Sequence, residues 1–135
     1  MKKNLFIIST IIIGSFALLS MSLSNSEFQE PWKVPSKYVK MKNPIENKVD
    51  SENIGRILYA KHCKSCHGKK GHGDGPKADS VDTEIGDFTE ETFKNQSDGS
   101  LYYKTFIGRD DMPSFGKKIK DEEDKWLLIN YLKKF

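Results

Sequence analysis

Apolar residues are distributed along this chain in two different ways. From Leu5 to Met21 they run almost unbroken, interrupted only by Ser9, Thr10, Gly14, Ser15 and Ser20, directly after Lys2 and Lys3. A cleavable export signal has an apolar core of about 7–15 residues, whereas a membrane span needs about 17–25. The run falls between the two, so residues 1–24 are expected to be a signal peptide or an N-terminal membrane anchor, and the length favours the anchor. Ser20, Ser22 and Ser24 are small enough to suit a signal peptidase. No cysteine precedes Cys63, so a lipid-modified N-terminus is not expected.

Further along, apolar positions recur at helical spacing between polar neighbours. Ile54, Ile57 and Leu58 share a face that the aliphatic stem of Lys61 extends, and Ser51 is a suitable N-cap; a helix is predicted from Ser51 to about His62. Asp87 with Glu90 three residues later has the form of a capping box for a short helix through Phe93. Ser97 or Asp98 begins the next helix, carrying Leu101, Tyr102, Thr105 and Phe106. The last begins near Asp121, with Glu122, Glu123 and Asp124 at its positive end and Lys133 and Lys134 at its negative end, as the helix dipole favours. Between these lie a turn-dense loop with Gly68, Gly71, Gly73 and Gly75 ahead of Pro76, and a second loop with Arg109, Met112, Pro113 and Phe115. No alternating segment predicts a strand and no repeat is visible, so the class is all-α. Residues 25–51 hold Pro31, Pro35 and Pro44 and are expected to form an extended tether, with Trp32 and Tyr38 as strapping points. The folded domain is then 52–135.

Charge narrows the partners. The chain carries 22 basic and 19 acidic residues; setting aside Lys2 and Lys3 leaves 20 against 19. Nucleic acid is therefore not expected as a partner, because phosphate binding needs a clustered basic excess. Lys64, Lys69, Lys70 and Lys77 surround one segment and are candidates for a protein-docking rim.

That segment carries the chemistry. Cys63 and Cys66 are the only cysteines, and His67 follows directly. Cys-x-x-Cys-His is the attachment pattern of c-type haem: two thiols three positions apart on one helical turn reach two vinyl groups, and the adjoining imidazole stands beneath the iron. A thioredoxin-type dithiol uses the same cysteine spacing but belongs in a βαβ setting. A zinc site would have to recruit His62 or His72 and lacks the usual second ligand pair. A plain dithiol or disulfide is the remaining reading.

From Asn53 to Phe135 the chain resembles the class I mono-haem cytochrome c family, through Cys63-Lys64-Ser65-Cys66-His67, through Gly55 and Tyr59 ahead of it, and through Leu128-Ile129-Asn130-Tyr131-Leu132-Lys133 near the end. The resemblance implies a small cytochrome c fold of about four short helices wrapped around one haem c, held covalently by Cys63 and Cys66, with the first and last helices crossing closely at Gly55. It implies that His67 is one axial ligand and that Met112, in Met112-Pro113-Ser114-Phe115, is the other. By the same resemblance, Gly73-Asp74-Gly75-Pro76 supplies a carbonyl, that of Pro76, to the other nitrogen of His67. Arg109 is a candidate for a haem propionate. The implied activity is one-electron transfer without substrate turnover, by a periplasmic carrier or a membrane-tethered subunit of a respiratory complex exchanging electrons with redox protein partners. The rival is a five-coordinate haem enzyme or sensor for peroxide, oxygen or nitric oxide.

Overall fold

Helices α1 (Ser36–Val39), α2 (Ile54–His62), α3 (Lys64–His67), α4 (Glu91–Lys94), α5 (Asp98–Ile107) and α6 (Glu122–Leu132), with a 3₁₀ turn at Ala78–Ser80, order the described residues, 31–135, of the computed structural model. Among these residues there is no strand, only an isolated antiparallel bridge between Arg109 and Met112. The apolar run of residues 5–21 and residues 25–30 of the expected tether lie outside the described residues. No helix among the described residues is long and apolar enough to cross a membrane.

Two of the expected starts are met: Ser97 Oγ accepts the amide of Ser100 at 3.2 Å, and Asp121 Oδ1 that of Asp124 at 3.0 Å. Each satisfies one of the orphan amides that open a helix. Two others differ. Ser51 does not cap α2; Asp50 does, its two carboxylate oxygens accepting the amides of Ile54 and Gly55 at 2.8 Å each. One carboxylate reaches two orphan donors and adds a negative charge at the positive helix end, which a hydroxyl cannot do. Nor does Asp87 open a capping box. Its Oδ1 takes both the amide and the hydroxyl of Thr89 at 2.7 Å, closing a local turn, so α4 begins only at Glu91.

The crossing of α2 with α6 organises the core. A β-carbon on Gly55 would overlap the Leu127 carbonyl and stand 2.8 Å from Tyr131 Cβ, so only glycine permits this approach. Behind the contact, Leu128 and Ile129 are wholly buried, each contributing roughly 1.5–3 kcal/mol of apolar burial. Tyr59 packs against Tyr131 and Phe135 at ring-centroid distances of 5.4 and 5.0 Å. Trp126 is buried in the same cluster against Tyr102 and anchors the last helix from inside.

Residues 31–50, expected as part of an extended tether strapped at Trp32 and Tyr38, lie within the same unit as the domain, Pro31–Phe135. They form a strap. Tyr38, on α1, meets Tyr103 of α5 at 4.7 Å. Asn43 Nδ2 donates to Asp98 Oδ2 and Asn130 Oδ1, and Asn130 returns a bond to the Ile45 carbonyl at 2.9 Å. Met41 and Ile45 pack on the core. The prolines shape the strap without freeing it, because its polar side chains find partners on α5 and α6.

Candidate functional site

The Cys63–His67 segment is a single helical turn tied into its surroundings through the main chain. Cys63 ends α2, its amide bonded to the Tyr59 carbonyl, and the amides of Cys66 and His67 both return to the Cys63 carbonyl. The glycine loop then doubles back. The amides of Gly73, Gly75 and Lys77 donate to the carbonyls of His67, Cys66 and Ser65 at 3.0, 3.0 and 2.8 Å. Tyr59 Oη donates to the carbonyl of Gly68 at 2.7 Å, clamping the residue after His67. The turn is thereby fixed by partners from both sides, and the glycines cluster where the returning loop must lie against the motif backbone.

Cys63 and Cys66 form no disulfide with each other. Burial pushes the Cys63 thiol up to about 12, with a smaller upward push from Cys66. A redox-active dithiol needs the opposite, a thiol whose pKa is held down so that it attacks as thiolate. Among the described residues no group of three or more His, Cys, Asp or Glu side chains is placed to hold a metal ion, so the zinc reading finds no ligand set. What remains is a buried and a half-buried cysteine beside one imidazole.

That imidazole is built to stay neutral. Burial pulls the His67 pKa down to about 4, against a smaller upward pull from the Gly86 backbone. Its Nδ1 is buried with no hydrogen-bond partner, and its ring stacks on Phe88 at 4.4 Å with 26° between the planes. The expected bond to the Pro76 carbonyl is not made in this structure. The ring lies against Phe88, and the backbone acting on it is that of Gly86; Pro76 itself is exposed. A neutral, half-buried imidazole with an unpartnered Nδ1, beside two cysteines, fits the donor set of haem c: Cys63 and Cys66 would hold the porphyrin, and His67 would offer nitrogen to its iron.

Met112 sits in a tight turn. Arg109 and Met112 exchange both backbone hydrogen bonds at 2.9 Å, and Asp110 takes the left-handed φ of 52° that such a turn requires. Met112 is half-buried and packs against the core; Phe115, three residues on, is buried within it. Downstream, Ser114 Oγ donates to the Phe106 carbonyl at 2.6 Å, and the amides of Phe115 and Gly116 to those of Thr105 and Phe106. The loop thus satisfies carbonyls left open at the end of α5. Asp111 fixes its outer side: one oxygen accepts from the amides of Asp82 and Thr83 and from the Thr83 hydroxyl, at 3.1, 3.0 and 2.7 Å. Arg109 pairs with Asp110 at 3.0 Å and lies over the ring of Trp32.

The other histidines are accounted for differently. His62 rests near Phe115 at 5.6 Å, and His72 pairs with Asp87 at 2.9 Å. Lys64, Lys69, Lys70 and Lys77 are all exposed and form no ion pair among the described residues. Sequence reasoning did not single out Phe88 or Asp111. Neither belongs to a periodic stretch, and their partners are 21 and 28 residues away in the chain, so no local pattern could have flagged them. Trp32 is expected from the sequence as a strapping point, but the cations it meets, Lys104 and Arg109, lie more than 70 residues on and leave no local signal.

Residues 50–132 match the family described as cytochrome C oxidase, cbb3-type, subunit III. A comparison with curated proteins gives no match.

Proposed function

Because the chain belongs to the cytochrome c oxidase cbb3-type subunit III family, and so carries a c-type cytochrome domain, we propose that it is a one-electron carrier with His67 and Met112 as the two axial ligands of a single haem c. The observation that carries this reading is the Cys63–His67 turn, in which a neutral imidazole with a bare, buried ring nitrogen stands beside one buried and one half-buried cysteine. When bound, haem c supplies an iron that alternates between ferric and ferrous states.

The residues around it have distinct tasks. Cys63 and Cys66 hold the cofactor covalently, which keeps it in place through repeated oxidation and reduction. His67 keeps its lone pair for the metal because burial denies it a proton. Phe88 stacks on that ring and limits its rotation. Met112 presents a soft thioether from a loop closed by backbone bonds, which favours the ferrous state and raises the potential. With His67 and Met112 both bound to the iron, no site would be left for a substrate, and the five-coordinate enzyme or sensor would require Met112 to stay unbound.

The domain works outside the cytoplasm, on the periplasmic side, as a free carrier or as the electron-transfer subunit of a membrane respiratory complex. The redox partners are proteins, and the exposed lysines around the attachment turn are the natural docking rim.

Two measurements test this on protein matured in a host that attaches haem. Its mass should include one haem that survives acid–acetone extraction and denaturing electrophoresis. Its ferric form should be low-spin, with the weak long-wavelength band of sulfur-to-iron charge transfer. Met112→Ala should abolish that band, open the ferrous iron to carbon monoxide, and lower the potential by on the order of 0.1 V, within the roughly 0.8 V that axial ligation commands. Met41→Ala should do none of these. A wild-type protein that binds carbon monoxide rapidly, or a Met112→Ala spectrum like the wild type, would overturn the assignment.

A further inference from the structure

Trp32 opens the strap, far in sequence from the Met112 turn, yet it lies beside it. The Arg109 guanidinium stands 4.8 Å from the Trp32 ring centroid, and the Lys104 ammonium 5.7 Å. Both cations lead into the turn: Lys104 belongs to the last turn of α5, and Arg109 is the residue whose backbone exchanges two hydrogen bonds with Met112. Whatever fixes Arg109 therefore fixes the backbone of Met112. Asp111 ties the outer side of the same turn to residues 82–83, so the turn is held from two directions by segments that are not its sequence neighbours.

The arrangement has an electrostatic logic. Lys104 and Arg109 repel; burial, and next the Arg109 charge, hold the Lys104 pKa below its ordinary value. An indole face is the most electron-rich that a protein offers, and a cation over it is attracted to the ring quadrupole. Trp32 thus offsets part of that repulsion, alongside Asp110, which pairs with Arg109, and Gln96, which accepts from Lys104 at 2.6 Å, and it does so from a strap that Asn43 and Tyr38 anchor separately on α5 and α6.

We propose that Trp32 is a positioning residue for Met112: through the Arg109 guanidinium over its ring, Trp32 holds the Met112 turn closed. This rests on Met112 being the second axial ligand and adds a part of the chain outside the matched 50–132 segment to the machinery of that site. The Trp32 ring and the ligand loop are then joined at this one contact, and losing the ring face favours the open, Met-off iron.

The test uses the full chain with haem attached. Trp32→Ala and Trp32→Leu remove the ring face; the leucine also guards against a simple cavity. Both should weaken the sulfur-to-iron band and speed carbon monoxide binding to the ferrous protein, by about two- to fivefold for a partly exposed cation–π contact. Trp32→Phe keeps a ring face and should stay close to wild type. Tyr38→Ala loosens the strap at α1 without touching Arg109; it should lower the denaturation midpoint yet leave band and carbon monoxide rate alone. Trp32→Ala and Trp32→Leu proteins with wild-type band and rate would overturn the proposal, as would a Tyr38→Ala protein that loses the band to the same extent. A wild-type protein with no such band overturns the Met112 reading itself, and the positioning role with it.

Discussion

Three groups converge on the carboxylate of Asp87: the amide and hydroxyl of Thr89, and the ring of His72. The Thr89 hydroxyl and amide, followed by His72, hold its pKa at about 2, below the ordinary value of 3.8. A carboxylate whose folded pKa is depressed stabilises the fold fully above its unfolded value and loses that contribution as pH falls through the folded one. For Asp87 the window runs from about pH 4 down to about pH 2. The next residue is Phe88, the ring stacked on His67, so the turn that Asp87 closes also aims that ring. Between pH 4 and 2 the urea midpoint of the wild-type protein should fall more steeply than that of Asp87→Asn; equal slopes would show that this carboxylate does not stabilise the fold. The sequence marked Asp87 as a capping residue because Glu90 stands three positions later. The spacing was right for that motif, but the side chain was already engaged by Thr89 two residues away and by His72 fifteen residues away.

Among the helices, the ends that proved legible were those capped by their own sequence. Ser97 and Asp121 each bond an amide three residues on, so a local reading suffices. The start of α2 was less legible because Asp50 reaches it across a turn in which Asn53 adopts a left-handed φ of 57°. The crossing of α2 and α6 was readable through Gly55, but its tightness is a property of two helices together. In an open helix, replacing glycine by alanine stabilises by about 0.5–1 kcal/mol. Here the new methyl meets the Leu127 carbonyl and Tyr131, so Gly55→Ala should destabilise instead, by about 1–3 kcal/mol, the usual cost of overpacking. The denaturant midpoint supplies the sign, and a stabilised Gly55→Ala protein would mean that the helices separate at little cost.

At the scale of the whole molecule, the open matter is where the domain is held. The Leu5–Met21 run after Lys2 and Lys3 is longer than an ordinary signal core, which favours a retained anchor with the haem domain facing the periplasm. N-terminal sequencing of protein from its native host should give a start ahead of Leu5 in the membrane fraction. A mature start between Ser22 and Phe28 in a soluble fraction would rule the anchor out.

By itself the sequence determined what depends on residues close together in the chain: a helical domain, the Cys63-x-x-Cys66-His67 turn, the self-capped starts at Ser97 and Asp121, and a methionine just ahead of a proline in a loop. These follow from spacing, capping chemistry and hydrophobic period, all of which act over a few residues. Tertiary structure alone decided which distant groups close around that turn. It laid residues 31–50 on the domain as a strap, set Phe88 against His67 in place of a Pro76 bond, and fixed the Met112 turn between Asp111 and Trp32. Each of those contacts joins residues between 21 and 87 positions apart, and each is paid for by burial and charge that exist only once the chain has folded. Sequence spacing carries no record of such a pairing until the helices cross.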